Sequence, residues 1–322
     1  MSLSEPAPAS DATRLRPLYR MAFALAPRLG FGGVRRMAAT LAALMWWTIP
    51  SRRKRAIHAV QRHLELPEVQ ARQIARASFT HNFRSFFELF LVGSVDESFC
   101  RYSIRETEPG ALEAALRYDG PLVATTGHLG AWELLAGLLG SVVGQYRQDA
   151  LVVVRRNRNP QLHAVITRFR ELRGARVVDH RHAVFRVLKA LRRKGVAAFL
   201  VDHNSPRKES LFLPFLGEVA AVNMGPALLA VRSHAAVMPI FLLRAGEEGD
   251  GQGGPQYVLH VGSLLTPEML KGTREEKILH VATFYTHQAE LAVQSAPDQW
   301  FWMHNRWKTQ PRGPVTRGVE EG

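Results

Sequence analysis

The chain has 322 residues, 46% of them hydrophobic, which allows one large domain or two small ones with ample core. Its single cysteine, Cys100, excludes an intramolecular disulfide and a cysteine-based zinc site, and suits a reducing compartment. With 42 Lys+Arg against 28 Asp+Glu, net charge +14, the chain is built for anionic partners: nucleic acid, anionic membrane or anionic substrate. Only seven of those cations are lysines and the arginines are scattered, a pattern that an arginine-favouring base composition also produces.

Residues 1–14, rich in Ser, Pro, Ala and Asp, read as a flexible tail. From Leu15 to Pro50 the chain is apolar but interrupted by Arg28, Arg35 and Arg36. Its longest charge-free piece, Met37 to Ser51, falls short of the roughly 20 residues a spanning helix needs, and no cleavage site marks a signal peptide. Trp46-Trp47 followed by Arg52-Arg53-Lys54-Arg55 is an interfacial pattern, indoles at headgroup level with cations toward anionic lipid. The expectation is a membrane-associated helical hairpin on the cytoplasmic face within residues 1–50, followed by one domain over 51–322. A buried helix pair with a solvated basic cap fits the same residues.

Residues 52–64 and 68–92 predict helices separated by Pro67. Phe79, Phe83, Phe86, Phe87 and Phe90 recur at helical spacing, which suits core packing or the wall of an acyl-chain site. Beyond residue 101, predicted strands near 102–105, 121–126, 150–154, 175–178, 196–201, 236–243 and 256–262 alternate with helices. The helices lie near 110–118, 131–143, 160–173, 181–194, 225–234 and 273–295. That rhythm predicts an α/β fold, a mostly parallel mixed sheet flanked by helices. Gly246 to Pro255 reads as a flexible loop.

The run Pro121-Leu-Val-Ala-Thr-Thr126 hands over to a helical run through Gly127-His-Leu-Gly-Ala-Trp-Glu133. Ligands of open α/β sheets bind at that edge. On one continuous helix five residues turn through about 500°, so His128 and Glu133 would not share a face and can meet only if His128 lies in the turn before the helix. Gly127 and Gly130 permit such a turn. A histidine there, oriented by a carboxylate, suits a general base that takes a proton from a hydroxyl; a satisfied strand-end histidine beside an unrelated acid has the same pattern.

Further polar groups end the later strands. Arg155, Arg156 and Arg158 follow the apolar run 151–154, where guanidinium groups suit a phosphate or a developing oxyanion. Asp202-His203-Asn204 follow 196–201, and Asp202 can orient Arg155 or His128 or cap a turn. Leu211 to Gly217 reads as an apolar loop. Trp300, Trp302, Trp307, Arg306 and Lys308 mix rings and cations as an interfacial anionic-lipid site does. Neither a P-loop, a dinucleotide fingerprint nor an H-E-x-x-H is present, and His180 with His182 lack partner ligands, so no cofactor and no metal are expected.

Several ordered blocks resemble the lipid A biosynthesis (lauroyl/myristoyl) acyltransferases, within the wider glycerolipid acyltransferase superfamily. They are Thr126 to Glu133, Val154-Arg155 with Asn159-Pro160, Val201-Asp202-His203, Leu213 to Gly217, Gly225-Pro226, Met238-Pro239, and Pro297 to Trp300 through Trp302-Met-His304, Arg306 and Lys308. The likeness runs over roughly residues 50 to 311. It implies acyl transfer from an acyl carrier protein thioester to a hydroxyl of an anionic glycolipid, such as a lipid A precursor, at the cytoplasmic face of a bacterial inner membrane. His128 matches the family's base and Glu133 its acidic partner. Arg155, Asp202, Arg306 and Lys308 match polar or basic positions for substrate or oxyanion. The arginines in the N-terminal segment depart from the clean spanning helix usual in the family, and relatives that acylate other lipids keep the acceptor open. A basic nucleic-acid-binding module is the competing class, without an RNP-type motif, zinc finger or basic helix to support it.

Overall fold

The computed structural model describes residues 17–245 and 257–312. The expected tail at 1–14 and loop at Gly246–Pro255 lie outside the described residues.

Three helices lead the chain: α1 (Pro17–Thr48), α2 (Pro50–His63) and α3 (Glu68–Glu88). Gly30, at φ 60°, kinks α1. Among the described residues no helix is long and apolar enough to cross a membrane. One face of α1 buries Val34, Ala38, Ala42 and Trp46, and Trp46 meets Phe79 of α3 edge-on at 5.2 Å. The tryptophan pair is thereby split: Trp46 is 4% exposed and packs in the core, while Trp47 is 71% exposed. Helix α3 stops at Glu88, short of the expected 92, and continues as a 3-10 segment, Leu89–Ser94.

A short helix α4 (Glu97–Ser103), capped by Asp96, precedes β1 (Ile104–Glu106). The alternation then runs α5 (Ala111–Leu116), β2 (Leu122–Thr126), α6 (Trp132–Tyr146), β3 (Ala150–Val154) and α7 (Pro160–Arg170). It continues through β4 (Arg176–Asp179), α8 (Ala183–Arg192), β5 (Val196–Leu200), β6 (Ser210–Phe215) and β7 (Glu218–Asn223). Helix α9 (Gly225–Ser233), β8 (Ala236–Arg244), β9 (Tyr257–Val261) and α10 (Arg274–Ser295) complete it.

Seven strands form one sheet in the order β1-β9-β8-β2-β5-β3-β4. Every neighbouring pair is parallel except β8 with β9. Strand β2 is buried at all five positions, as a central strand covered on both faces must be. The period-two alternation divides the strands between two cores: Val123, Ala197 and Val237 join α8, α9 and α10, while Leu122, Ala124, Val196 and Ala198 join α6 and the 3-10 segment.

The apolar loop expected at 211–217 is instead half of an antiparallel β6–β7 hairpin. Its two-residue turn holds both Leu216 (φ 51°) and Gly217 (φ 76°) in the left-handed region. Leucine is unusual there. Its backbone N–H donates to the Glu290 carboxylate of α10 at 2.8 Å, and burial of its side chain to 3% exposure offsets the strain. Pro214 inside the strand and a leucine in the turn hide the hairpin from a pattern reading.

Candidate active site

The turn between β2 and α6 carries His128, ahead of the helix as expected. Three features hold the turn. Gly130 sits at φ 62°, and a Cβ there would lie 2.2 Å from the Leu242 carbonyl oxygen, so only glycine fits. The Ala131 N–H donates to that same carbonyl at 2.7 Å, and Ser85 of α3 donates to the Gly130 carbonyl at 2.5 Å. On the other side the segment after α10 straps the turn: Leu129 bridges Trp300, and the Phe301 N–H donates to the His128 carbonyl at 3.1 Å.

Strand β5 lies directly beside β2, Thr126 opposite Leu200, and delivers Asp202 to the same edge. Asp202 is 1% exposed and accepts three hydrogen bonds. The His128 backbone N–H and the Trp300 indole N–H reach Oδ2 at 2.7 and 2.8 Å, and the His128 ring nitrogen Nδ1 lies 2.9 Å from Oδ1. A Cβ on Gly127 would meet the Asp202 carboxylate at 3.1 Å, so the glycine is what allows this close approach. Burial alone would raise the Asp202 pKa. The attraction of the His128 ring when protonated, its hydrogen bond and the Trp300 donor outweigh it and hold the carboxyl well below the usual range. An ionised carboxylate only accepts, so Nδ1 carries the proton and Nε2 of the neutral ring is left with its lone pair. The ring is 30% exposed, open to a reactant.

The carboxylate that meets the His128 ring is therefore Asp202, while that of Glu133, the expected partner, meets Arg170. Glu133, 3% exposed in the first turn of α6, is gripped bidentately by Arg170 of α7, with Nε and Nη2 at 2.7 and 2.5 Å from its two oxygens. A buried carboxylate needs a cation or several donors, and the arginine fork satisfies both oxygens at once.

Arg155 lies just past the end of β3, exposed, on the same edge of the sheet as His128 but with β5 between their strands. Lys308 is exposed. The C-terminal rings and Arg306 do not form the surface site expected of them. Trp300, Trp302 and Arg306 are each 1% exposed. Arg306 donates to the Ala221 carbonyl at 2.6 Å, lies over the Phe215 ring at 5.1 Å, and contributes its charge toward Asp202. Burial brings it down to about 10, so it remains a cation at neutral pH. Burial also depresses His203 and His304 to about 4, which leaves both neutral. His180 is drawn to Asp179 at 3.0 Å, and among the described residues no cluster could hold a metal ion.

Rings surround the exposed side of His128. Trp132 meets it edge-on at 5.6 Å and Phe301 lies at 6.1 Å, while Phe86 of α3 packs against both at 5.6 and 6.1 Å. Phe79 of the same helical stripe is core, whereas Phe86 is 44% exposed beside the two rings that meet the imidazole. The sequence reading missed two roles: Trp300 as a donor to Asp202, and Arg170 as the partner of Glu133. Neither leaves a local signal, since one lies 98 residues from its partner and the other 37.

The pair at this edge, an imidazole backed by a buried carboxylate and walled by rings, can deprotonate a hydroxyl presented alongside an apolar chain. The family described as bacterial lipid A biosynthesis acyltransferase matches residues 15–309. The lipid A biosynthesis lauroyltransferase of Escherichia coli (strain K12) is 30% identical over 172 residues, 53% of this chain and 52% of that protein. The lipid A biosynthesis palmitoleoyltransferase of the same strain is 29% identical over 176 residues, 54% of this chain and 53% of that one. The lipid A biosynthesis acyltransferase of Shigella flexneri matches to the same extent. The aligned stretch thus spans about half the length of each of these relatives.

Proposed function

The chain belongs to the bacterial lipid A biosynthesis acyltransferase family, and from this membership and the geometry around His128 we propose that it transfers a fatty acyl chain from an acyl carrier protein thioester to a hydroxyl of an anionic glycolipid, a lipid A precursor before other lipid acceptors. The observation that carries the mechanism is the 2.9 Å contact between His128 Nδ1 and the buried Asp202 carboxylate. Nε2 of His128 takes the acceptor's hydroxyl proton as the oxygen attacks the thioester carbonyl carbon. Asp202 fixes the tautomer and stabilises the imidazolium that results. The tetrahedral intermediate then collapses, the carbon–sulfur bond breaks, and the imidazolium returns the proton to the departing thiolate. The reaction needs no covalent nucleophile, and the thiol of Cys100 is pushed up to about 11 by burial, which makes it a poor one.

In this reading Phe86, Trp132 and Phe301 line the path of the acyl chain, and the guanidinium of Arg155 meets acceptor phosphate or the oxyanion. Glu133 acts through Arg170, by holding α6 and α7 at a fixed spacing. The net charge of +14 suits both an acidic carrier protein and a phosphorylated lipid. The enzyme works at the cytoplasmic face of a bacterial inner membrane, held there by the outer face of α1 and by Arg52 to Arg55. The test is mass spectrometry of product from purified protein, acyl carrier protein donor and a lipid A precursor. His128→Ala should lower turnover by about 10²–10⁴-fold with an unchanged circular dichroism spectrum. Wild-type turnover by this variant would remove the assignment.

A further inference from the structure

Helix α8 turns one stripe to the core, Ala183, Val187, Ala190 and Leu191, and the outside of such a helix is ordinarily polar. Arg186, Lys189 and Arg192 follow that rule, being exposed. Val184 and Phe185 do not: they are 53% and 72% exposed at the first turn of the helix. Two adjacent apolar side chains held out in water on a well-formed helix form a small contiguous apolar patch, whose neighbours decide whether it is a contact surface.

Their position defines the occupant. They follow β4, whose last residue Asp179 pairs with Val154, the last residue of β3. The corner before α8 and the Arg155–Arg158 turn are therefore neighbours on the edge of the sheet that carries His128 and Asp202. Arg155, Arg156, Arg158, Arg181 and Arg186 are all exposed there. An apolar tip ringed by cations is complementary to an anionic bilayer, where rings and aliphatic groups enter the acyl boundary and guanidinium groups meet phosphate. A second tip with the same chemistry ends α1. Trp47 and Leu44 are 71% and 55% exposed, and Arg53 lies over the Trp47 ring at 5.5 Å. Arg52 donates to the Met303 carbonyl at 3.1 Å, which ties that corner to the segment strapping the His128 turn.

We propose that the Val184–Phe185 tip inserts into an anionic membrane surface as a second contact beside the α1 corner, so that the His128 edge of the sheet faces the lipid. The inference rests on the reading that the acceptor is a membrane lipid. The experiment is sedimentation of the full chain with phosphatidylethanolamine vesicles containing phosphatidylglycerol. The Val184→Ser/Phe185→Ser variant should bind roughly tenfold or more weakly. Phe185→Trp should bind as wild type, and Leu44→Ser/Trp47→Ser should weaken binding independently. Transfer to acceptor dispersed in detergent should be unchanged in the Val184/Phe185 variant, because the tip supplies docking and not chemistry. Unchanged vesicle binding by the folded serine variant overturns the proposal. So does intact vesicle binding with slowed transfer from carrier-protein thioester alone, which would make the tip a protein-docking site. If vesicle binding falls as expected but no protein transfers acyl groups to dispersed acceptor, the membrane contact stands and the acyltransferase reading fails.

Discussion

Two carboxylates sit within a few residues or one strand of His128, and the fold treats them differently. Asp202 is 1% exposed and faces a part-exposed imidazole and two neutral N–H donors. Glu133 is 3% exposed and faces a guanidinium that never releases its proton. Only the first pair contains an imidazole, the side chain suited to giving and taking a proton near neutral pH. Burial and a short contact are common to both, so under the proposed function it is the partner's chemistry that assigns Asp202 to catalysis and Glu133 to architecture. The largest effect should come from breaking the first pair. Asp202→Asn keeps the shape, removes the charge that stabilises imidazolium, and permits the wrong tautomer. Turnover should fall by up to about 10⁴-fold, close to the His128→Ala level. The double variant should be no worse than either single one, because the two residues act as a unit. Steady-state rates for the three proteins check this, and an active Asp202→Asn would return the role of partner to Glu133.

The second pair should fail differently. Glu133→Gln or Arg170→Met leaves its partner's buried charge uncompensated, at a cost of about 3–5 kcal/mol. The combined Glu133→Gln/Arg170→Met protein should recover most of that loss, since no charge is then stranded. Urea unfolding of the four proteins measures it. Turnover should track the stability of the pair and fall together in both single variants. Glu133→Gln inactive but stable, beside an active Arg170→Met, would show that the glutamate acts on His128 directly.

Acid exposes the same contrast more gently. His203 and His304, pushed from 6.5 to about 4 by burial, are poorer proton acceptors in the folded chain than in the unfolded one. Their depressed values mean stability is full above about pH 6.5, declines as pH falls toward about 4, and levels off below. The ceiling is on the order of 3 kcal/mol for each ring, reduced by the solvent that reaches both. Asp202, also depressed, loses its contribution in the same direction at still lower pH. Unfolding midpoints at pH 7.5 and 5 should differ, and His304→Gln should flatten the slope.

The elements that repeat were legible. The strand at Ala150–Val154 has the expected bounds, and the helices over 160–173 and 273–295 begin at Pro160 and one residue after Thr273. Periodicity, an Asn159 cap and a Thr273–Glu276 capping box carry those boundaries locally. His128 ahead of its helix was legible too, because an apolar β-branched run ends just before it and Gly127 and Gly130 flank it with turn residues. What was hidden depends on pairing over distance. Nothing near Glu133 announces Arg170, nothing near Asp202 announces Trp300, and the Trp300–Lys308 run has a membrane-interface composition although its largest rings fill the core. Trp46 and Trp47 make the same point: adjacent on a helix, they point about 100° apart, one into Phe79 and one into solvent.

The smallest effect belongs to Arg155, and it sharpens the comparison by adding an exposed charge to the two buried pairs. A guanidinium at the surface is screened by water and salt, so its interactions are worth about 1 kcal/mol or less. An oxyanion contact works by being fixed and dry, and the exposure of Arg155 favours the alternative, a phosphate contact made equally in ground and transition states. Loss of such a contact raises KM and spares kcat. Arg155→Ala should therefore raise KM for a phosphorylated acceptor a few-fold, with kcat unchanged and the difference shrinking as salt is added. Arg155→Lys should recover most of the affinity if charge alone matters, and little if the two-pronged fork grips the phosphate. A drop in kcat of tenfold or more, insensitive to salt, would mean that the side chain folds inward over the bound thioester. Arg155 would then belong with His128 and Asp202 rather than with the surface.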